Sequence, residues 1–593
     1  MLRNIYSYVH RFRWVFCQLE VLRQCLPPSV RHTLAELPET LDETYERILS
    51  EIPKSNRVHA HRLLQCLTVA VRPLEVKELA EVLAVDFGTA RGIPELKEDL
   101  RWEDQEQAVL SACSSLIAVV GDEDFRVVQF SHFSVKEFLT SNRLATSKTD
   151  ASRYHHIHLG EAHTILAQAC LSVLLRLDYD IDRRSITSFP LAGYAADHFG
   201  DHVEFEDVLS HICDGVDHLL DADKPHFAAW LWLRNSRYLY EHPRRPEAVP
   251  LYYVADFGYF DLANRLISKR PEGIDALGED GTLLHAASHR GHCKVMDLLL
   301  EHLDVDIRNL NDQTPLHLAA EGGFLEAIQI LIECNADIEA RDNRGQTPLY
   351  SGIFNGLGDT RLDVAKFLLA HGAEADTRKN DDSTPLHAAS FNGSVKTAQM
   401  LLEHGTDIDA QDKEGQTPLH RVVFYLIYLT DLMAGQFFDV IRLLLEHGAD
   451  VDAQDNNHWT PLHLAAQSSS VKAARLLLEH GANIHARNKK GRTPLHEALW
   501  GCIEKTWGFD FGVIRFLLEH GADVDAQDND QSTPLHMVAE CGHVQAARVL
   551  LEHGAGVHLQ NNEGMTPLQV ASKGGHAEFA QWLSGYLQSD QKI

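Results

Sequence analysis

A four-residue string, Thr-Pro-Leu-His, recurs through the C-terminal half of this 593-residue chain. The copies and near-copies of the string begin at Thr282, Thr314, Thr347, Thr384, Thr417, Thr460, Thr493, Thr533 and Thr566. Five of the eight successive spacings are 32 or 33 residues, and the other three are 37, 43 and 40. A unit of this length cannot bury its apolar face alone, so such a period restricts the fold to stacked repeats.

The residues of one period predict a helix–turn–helix unit. Thr is a favoured N-cap, and Pro suits the first helical position because its φ is already set. In the unit that begins at Thr460, a second apolar helix over 471–480 ends at Gly481, the residue type preferred just past a helix C-terminus. The pattern resembles the ankyrin repeat family over residues 247–590. It predicts an α-solenoid with β-turn fingers over 247–593, about ten units long, with degenerate first and last units.

Histidine is unusually frequent, with 36 residues, which on its own would suggest a metal protein. However, seventeen histidines fall at positions fixed by the repeat. They are His285, His317, His387, His420, His463, His496 and His536 in the first helix, His302, His371, His404, His447, His480, His520 and His553 at the end of the second helix, and His292, His543 and His576 between the helices. We expect these side chains to hydrogen-bond neighbouring units and not to bind metal.

The best remaining metal candidate is the cluster of His155, His156, His158 and His163. His155 and His158 could share one helix face, as could His156 and His163. The alternative is a solvated start of a helix. We expect no bound metal and no cofactor.

Two surfaces of the predicted solenoid are candidate partner-binding sites. Three units carry extra residues between their helices, and those of the Thr493 unit include Trp500, Trp507 and Phe511. Such insertions often lie on the binding face, although a longer first helix could instead pack these aromatic side chains. The second surface is the concave face, which is formed by the β-turn tips and the first helices. Its candidate residues are Asp280, Asn311, Arg344, Asp381, Lys413, Asn457, Trp459, Lys489, Asp530 and Glu563.

The residues before the repeats predict a different kind of domain. Thr40 and Glu43 form a capping box at the start of a helix. The further elements predicted are helices over 59–69, from 76, and over 106–116, and strands over 117–120 and 125–130. Helices followed by a hairpin predict a winged helix over 58–145, between a helical linker over 1–57 and a helical domain over 146–246. The predicted fold class is therefore mainly α.

Three strings in this region, over residues 12–19, 37–47 and 130–139, are distinctive together. They resemble the segment that follows the NTPase module in fungal NACHT–ankyrin proteins of the STAND, or NLR-like, class. The resemblance implies a regulatory neck and signalling of a fungal self/non-self or innate-immunity type. In that class a winged-helix histidine contacts the β-phosphate of ADP, so the resemblance implies this role for His132 where a NACHT module is present. The alternative is a histidine buried between the hairpin and the next helix.

The net charge and the cysteine content indicate which kinds of partner and which cell compartment to expect. The net charge is −31, most of the excess acid lies in residues 251–593, and the predicted hairpin turn at 122–124 is acidic. Acidic surfaces repel phosphate backbones, so we expect no nucleic acid but a protein partner with a basic or neutral surface, with self-assembly left open. No apolar run reaches the ~18 residues of a membrane span, so we expect no membrane partner. Ten cysteines without a CxxC pair predict reduced thiols and a cytoplasmic protein.

Catalytic motifs are missing from the sequence. It contains no Gly-Lys dipeptide and therefore no P-loop, and no HExxH, GxSxG or strand-linked GxGxxG motif. The sequence predicts a non-enzymatic scaffold or sensor that recognises a protein partner through its repeats, with the N-terminal half as the regulatory neck. The alternative is a fragment of an NTP-dependent STAND switch whose NACHT module is missing or is supplied in trans.

Overall fold

The computed structural model describes residues 40–88, 93–113, 116–121, 125–147, 150–235, 242–246, 248–355, 360–426, 434–504 and 511–590. The described part is mainly helical, and the chain divides into two compact units, Met1–Leu283 and Leu284–Ile593. The first predicted repeat belongs to the N-terminal unit in this division. Most of the predicted linker, residues 1–39, lies outside the described residues.

The described part of the N-terminal unit begins with four helices and two small sheets. The elements are α1 Leu41–Glu51, α2 Arg57–Val69, β1 Leu74–Glu75, α3 Val76–Leu83, β2 Val85–Asp86, β3 Glu95–Leu96, α4 Gln105–Cys113, β4 Ile117–Val120 and β5 Val127–Phe130. The capping box of α1 is confirmed, because the Thr40 hydroxyl accepts from Glu43 N and the Glu43 carboxylate accepts from Thr40 N. The predicted helices over 59–69, from 76 and over 106–116 are confirmed within a few residues at their ends.

The predicted hairpin is also confirmed, and a third strand extends it. β4 and β5 pair antiparallel with Ile117 opposite Phe130, and β1 pairs with the other edge of β5, with Leu74 opposite Val128. Leu74 and Val128 are fully buried. The apolar sides of the strands therefore pack onto the helices, which is the arrangement of a winged helix.

The rest of the N-terminal unit is helical. Its helices are α5 Phe133–Leu139, α6 Asn142–Ala145, α7 Asp150–Tyr154, α8 Leu159–Leu174, α9 Ala192–Val203, α10 Val208–Leu219, α11 Pro225–Asn235, α12 Pro250–Phe257 and α13 Phe260–Lys269. Trp230 is fully buried at the centre of this region, and its indole N–H donates to Ala196 O at 3.1 Å.

The structure corrects the expectation of shared helix faces in the histidine cluster. His155, His156 and His158 lie between the end of α7 and the start of α8, so their spacing is not helical. The fourth member, His163, instead pairs with His202 at 2.9 Å between Nδ1 atoms. Within the described residues, no group of three or more His, Cys, Asp or Glu side chains could hold a metal ion.

The C-terminal unit contains nine helix pairs among its described residues. They are α14 Leu283–Arg290, which begins at the boundary, with α15 Cys293–Leu300; α16 Pro315–Gly322 with α17 Leu325–Glu333; α18 Pro348–Asn355 with α19 Thr360–Ala370; α20 Pro385–Phe391 with α21 Val395–Glu403; α22 Pro418–Tyr425 with α23 Gly435–Glu446; α24 Pro461–Gln467 with α25 Val471–Glu479; α26 Pro494–Glu504 with α27 Gly512–Glu519; α28 Pro534–Cys541 with α29 Val544–Glu552; and α30 Pro567–Lys573 with α31 Ala577–Asp590.

The second helices end where the sequence predicts. Gly481, just past α25, has φ +89°, the left-handed region that favours glycine. In α24 and α25, Leu462, Ala466 and Leu477 are fully buried, so each pair contributes an apolar face to the stack. In the three long units, the extra residues that the structure describes lengthen the helices α19, α23 and α26, and residues 356–359, 427–433 and 505–510 between the helices lie outside the described residues.

Candidate functional site

In seven of the nine described units, a buried histidine of the first helix joins the repeat to the next one; Tyr350 and Gln569 occupy this position in the other two. In the Thr460 unit, His463 Nδ1 accepts a hydrogen bond from Thr460 N at 3.1 Å, and its Nε2–H donates to Arg492 O of the following unit at 3.1 Å. The same Nε2 bond to the following unit, at 2.9–3.4 Å, is made by His285, His317, His387, His420, His496 and His536. The prediction that the first-helix histidines bridge neighbouring units is confirmed.

The histidines at the end of the second helix act differently, and for them that prediction is wrong. His480 Nδ1–H donates to Leu476 O, four residues earlier in its own helix, at 2.9 Å. The same bond, at 2.7–2.9 Å, is made by His371, His404, His447, His520 and His553. The last turn of a helix has carbonyls without intrahelical partners, and a side chain just past the end reaches them directly. His543, between helices, caps its own α29 by accepting from Ala546 N.

Burial keeps the joining histidines neutral. It lowers the pKa of His387, His463 and His496 to about 4, and it lowers the pKa of His317, His420 and His536 in the same direction. Protonation would also place a hydrogen on Nδ1 opposite the N–H of the capping Thr. These histidines are therefore structural donors and acceptors, without a role in chemistry.

A ladder of backbone hydrogen bonds runs along the β-turn tips. Lys489 N donates to Asn457 O at 2.9 Å, which links the tip of one unit to the tip of the next. Equivalent bonds at 2.8–2.9 Å join Asn343 to Asn311, Asn380 to Arg344, Lys413 to Asp381, Asn456 to Glu414, Asn529 to Lys490 and Asn562 to Asp530. Because the ladder uses these backbone groups, a partner at the tips contacts mainly side chains.

One groove on this surface brings four of the predicted residues together. It has a volume of about 400 Å³ and lies where the tips before α24 and α26 meet the first helices. The predicted residues that line it are Asn457, Trp459, Lys489 and Trp500; the other lining residues are Gln467, Asn488, Lys490, Arg492 and Glu497. We call this set of nine residues the Trp459–Trp500 groove.

The polar side chains of the groove are positioned by hydrogen bonds. Asn488 Nδ2 donates to Glu497 Oε1 at 2.9 Å, and Asn488 Oδ1 accepts from the backbone N–H groups of Lys490 and Arg492. The Arg492 guanidinium carbon lies 5.5 Å from the centroid of the Trp500 ring. Trp500 is 36% exposed, so its ring is available to a partner while one face meets a cation.

The charge of the groove differs from that of the chain. Lys489 and Lys490 are exposed and make no ion pair with any residue that the structure describes. The equivalent pairs at the other tips are Asn343-Arg344, Asn380-Asp381, Lys413-Glu414, Asn456-Asn457, Asn529-Asp530 and Asn562-Glu563. Lys489-Lys490 is the one pair of this set with two positive charges, so the groove is a basic and aromatic site on an acidic array.

Arg492 adds a third positive charge near the lysines. Its Nε is buried, lies 3.8 Å from Asp528 Oδ2 and has no hydrogen-bond partner within the described part of the chain. Sequence reasoning missed Lys490 and Arg492. The signal was present, because the string Arg-Asn-Lys-Lys-Gly-Arg over 487–492 is the basic exception in an acidic region.

The other predicted residues lie apart from the groove. Asn311, Arg344, Asp381 and Lys413 occupy earlier tips of the ladder. Asp530 and Glu563 line a separate cleft of about 710 Å³ near the last described repeat.

Three more predicted residues lie elsewhere. Asp280 belongs to the N-terminal unit, where its N–H donates to the Tyr252 hydroxyl at 2.9 Å. Phe511 precedes α27, with its ring 5.8 Å from that of His543. Trp507 lies outside the described residues.

The aromatic side chains of the Thr417 unit pack as the alternative interpretation predicts. Phe437 and Phe438 are 4% exposed, and the Tyr425 ring lies 4.7 Å from Phe391 and 5.3 Å from Phe437. Among the described aromatic residues of the long units, Trp500 is therefore the strongest candidate for contact with a partner.

His132 lies at the junction of the hairpin and the next helix. It is the N-cap of α5: its Nδ1 accepts from Ser134 N and lies 2.6 Å from the Ser134 hydroxyl. That hydroxyl also lies 2.9 Å from the Tyr45 hydroxyl. In this geometry His132 contributes to the junction between the hairpin and α5, which is the alternative role given in the sequence analysis.

Comparison of the sequence with models of known protein families identifies the repeats. Residues 251–592, more than half of the chain, match the model described as ankyrin repeats (3 copies). The chain belongs to the ankyrin-repeat family. Five overlapping segments carry the match, namely 251–342, 283–379, 360–428, 426–507 and 505–592.

A second match lies within the N-terminal half of this ankyrin-repeat protein. Residues 46–149 match the model described as GPI inositol-deacylase, winged helix domain. The predicted winged helix is thereby confirmed, and the fold class is a winged helix and further helices followed by ankyrin repeats. No described helix is long and apolar enough to cross a membrane.

The ankyrin-repeat protein resembles several curated proteins over part of its length. It is 31% identical over 293 residues to Azaphilone pigments biosynthesis cluster protein L of Monascus ruber, an alignment that covers 45% of this chain and 60% of that protein. It is 33% identical over 135 residues to an ankyrin repeat and KH domain-containing protein of Caenorhabditis briggsae, covering 22% of this chain and 5% of that one.

A solved structure, the human ASB11 ankyrin repeat domain, is 28% identical and matches 40% of this chain and 98% of its own, with a TM-score of 0.34. This chain thus spans less than two thirds of the curated relatives named above.

Proposed function

We propose that this ankyrin-repeat protein is a non-enzymatic scaffold or sensor that binds a protein partner through its repeats. Its membership of the ankyrin-repeat family supports a protein-interaction role. The observation that carries the proposal is the Trp459–Trp500 groove, in which two tryptophans, Arg492 and two lysines without described ion pairs lie beside the tip ladder. Trp and Arg side chains are the types that dominate binding energy in protein interfaces.

The charge expected of the partner depends on the distance considered, either the whole protein surface or the inside of the groove. The net charge of −31 acts over the whole surface and favours a partner that is basic or neutral overall. Charges beyond about 8 Å are largely screened at physiological salt, so a segment inside the groove interacts mainly with Lys489, Lys490 and Arg492 and with one carboxylate, that of Glu497, which leaves an excess of positive charge. We therefore propose that the contacting segment is acidic and carries one large apolar side chain for the tryptophans.

Fluorescence anisotropy of the full chain with labelled peptides tests this proposal. One peptide set carries a Leu or Phe flanked by Asp and Glu, and the matched set replaces the acids with Asn and Gln. We expect the best acidic peptide to bind at least about tenfold more tightly than its neutral counterpart.

Two variants identify the residues. Lys489→Glu/Lys490→Glu should remove that preference, and Trp500→Ala should cost about 2 kcal/mol of binding free energy. Lys413→Glu is the matched control, because Lys413 occupies the tip position of Lys489 in another unit. Equal losses in Lys413→Glu, or tighter binding of the neutral peptides, would contradict the groove as the site.

We also propose that the N-terminal half is the regulatory neck of a STAND-type signalling protein, acting in the cytoplasm in fungal self/non-self or innate-immunity signalling. The winged-helix match and the fungal relative support this assignment. The alternative is a fragment of an NTP-dependent switch whose NACHT module is missing or is supplied in trans. In that case His132 would contact the nucleotide of the NACHT module.

Binding of fluorescent ADP to the purified chain tests the scaffold proposal. The scaffold proposal predicts no binding by this chain alone. Binding that His132→Ala abolishes would instead favour the NTP-dependent switch. His132→Asn is the control, since Asn keeps the N-cap of α5. A loss shared by both variants points to the imidazole, and a loss in His132→Ala alone points to the cap.

A further inference from the structure

A second cleft lies within the N-terminal unit, at α2, the start of α8 and the start of α10. Its volume is about 680 Å³, within the usual range of small-molecule sites. The lining residues are Val58, His61, Arg62, Gln65, Tyr154, His158, Gly160, Glu161, Thr164, Ile165, Phe205, Glu206, Asp207 and His211. We call it the Arg62 cleft.

Gln65 is an unpartnered amide in the wall of this cleft. Its residue surface is only 4% exposed, yet its side chain hydrogen-bonds to none of the residues that the structure describes. Although the residue is largely buried, the polar atoms of its amide reach the open space of the cleft, where they are free to bond a ligand. Gln65 and Arg62 are three residues apart in α2 and therefore lie on one helix face.

Arg62 is a half-buried cation without a direct ion pair; the Asp86 carboxylate interacts with it at longer range and makes its own ion pair with Lys97. Its guanidinium carbon lies 4.4 Å from the centroid of the Phe87 ring, and it makes no ion pair or hydrogen bond with the described residues. At the rim, the carboxylates of Glu161, Glu206 and Asp207 likewise have no ion pair in the described part of the chain. The cleft thus offers charges of both signs that do not neutralise each other.

From this arrangement, we propose that the Arg62 cleft binds a small zwitterion of the amino-acid class with an aromatic side chain. Its carboxylate pairs with Arg62 and accepts from the Gln65 amide, and its ammonium group faces Glu161, Glu206 and Asp207. Tyr154, Ile165 and Phe205 supply the apolar surface for the side chain. Three rim carboxylates disfavour a polyphosphate, whose several negative charges they would repel.

Isothermal titration calorimetry of the full chain tests the charge pattern with four related probes. Phenylalanine carries both charges, N-acetylphenylalanine carries the carboxylate alone, and phenylalaninamide carries the ammonium group alone. N-acetylphenylalaninamide carries neither charge. We expect phenylalanine to bind about tenfold more tightly than either singly charged probe and the neutral probe not to bind. Equal affinity for all four, or no binding of phenylalanine at about 5 mM, where a millimolar site would be largely occupied, would overturn the proposal.

Two variants test the residues. Arg62→Met should weaken phenylalanine binding about tenfold and reduce the preference over phenylalaninamide, since Arg62 supplies the positive charge that pairs with the carboxylate. Gln65→Leu, which fills the buried position with a side chain of similar size, should weaken binding of both carboxylate probes. Arg57→Met is the control, because Arg57 lies on the same helix but does not line the cleft. Unfolding followed by circular dichroism shows that each variant is folded, and unchanged binding in both folded variants would refute the site.

Discussion

Acidification should unfold this protein through its joining histidines. His387, His463 and His496 have a pKa of about 4 in the folded chain, because burial penalises the charged form. In the unfolded chain the same side chains have a pKa of about 6.5. Because the folded pKa is the lower one, the unfolded chain binds protons first. The stability contributed by these groups is therefore complete above pH 6.5 and is lost progressively as the pH falls towards 4.

The size of the loss follows from the two pKa values. At pH 5, each histidine lowers the free energy of unfolding by about 2 kcal/mol relative to neutral pH, and the three together lower it by about 6 kcal/mol. Native domains are stable by only about 5–15 kcal/mol, so a loss of this size is decisive. His317, His420 and His536 shift in the same direction and add to it.

The chain itself supplies a non-titrating replacement. In the last described repeat Gln569 stands at the histidine position, and its Oε1 accepts from Thr566 N at 2.9 Å. His463→Gln should therefore keep the cap while removing one titrating group. Comparing the variant with the wild type cancels every other group, including Glu204, whose pKa is raised to about 7 by burial and acts in the opposite direction.

Urea unfolding followed by far-UV circular dichroism, repeated at several pH values, is the assay. The difference in unfolding free energy between wild type and His463→Gln should shrink by about 2 kcal/mol from pH 7 to pH 5. A difference that stays constant over this range would refute the neutral, buried state of His463. His480→Gln is the matched comparison at an exposed histidine, which bonds to a carbonyl of its own helix and does not join two units.

Three further predictions concern individual side chains. In urea titrations, Gly481→Ala should lower the unfolding free energy by about 1 kcal/mol, and Gly585→Ala should raise it by a similar amount. Both sites have open space for a Cβ, but only Gly481 has positive φ. Equal effects of the two substitutions would contradict the assignment of Gly481 as a helix C-terminal cap. Asp412→Ala should lower the unfolding free energy by about 3 kcal/mol and lower the melting temperature. The buried Asp412 carboxylate pairs with Arg421 and accepts hydrogen bonds from backbone N–H groups of its own β-turn tip. An unchanged melting temperature would argue against that role. Burial raises the pKa of the Cys66 thiol to about 12, so iodoacetamide should alkylate Cys66 only after unfolding. Cys334 is exposed and should react in the native chain, and peptide mass spectrometry distinguishes the two sites. Labelling of Cys66 in the native chain would contradict its burial.

The repeats and the hairpin were predictable because their signals are local. Thr, Pro and the left-handed glycine each act within one turn of chain, and the alternation of β4 and β5 brackets a short turn. The joining role of His463 was also predictable, since a periodic polar residue on an apolar helix needs a periodic partner. The role of His480 was not, because whether a side chain at a helix end reaches back or across depends on the path of the following turn.

Both clefts depend on contacts that sequence spacing does not carry. Trp459 and Trp500 are 41 positions apart, and only the stacking of two units brings them to one groove. Arg62 and Gln65 look like ordinary polar residues of an amphipathic helix. Their lack of partners becomes visible once α8 and α10 are packed beside them.

The histidine joint has a consequence for how such a gene can change. His463 reaches an acceptor 29 residues ahead, whereas His420 reaches one 39 residues ahead with the same geometry, because the surplus residues leave the joint untouched. Each unit that carries the histidine therefore offers an imidazole to the following unit, and that unit supplies the backbone carbonyl just before its own Thr. Unequal recombination that adds or removes one whole repeat reconnects a donor to an acceptor and leaves no buried polar group unsatisfied. The length of the array, and with it the set of tips displayed, can vary between generations at little cost in stability.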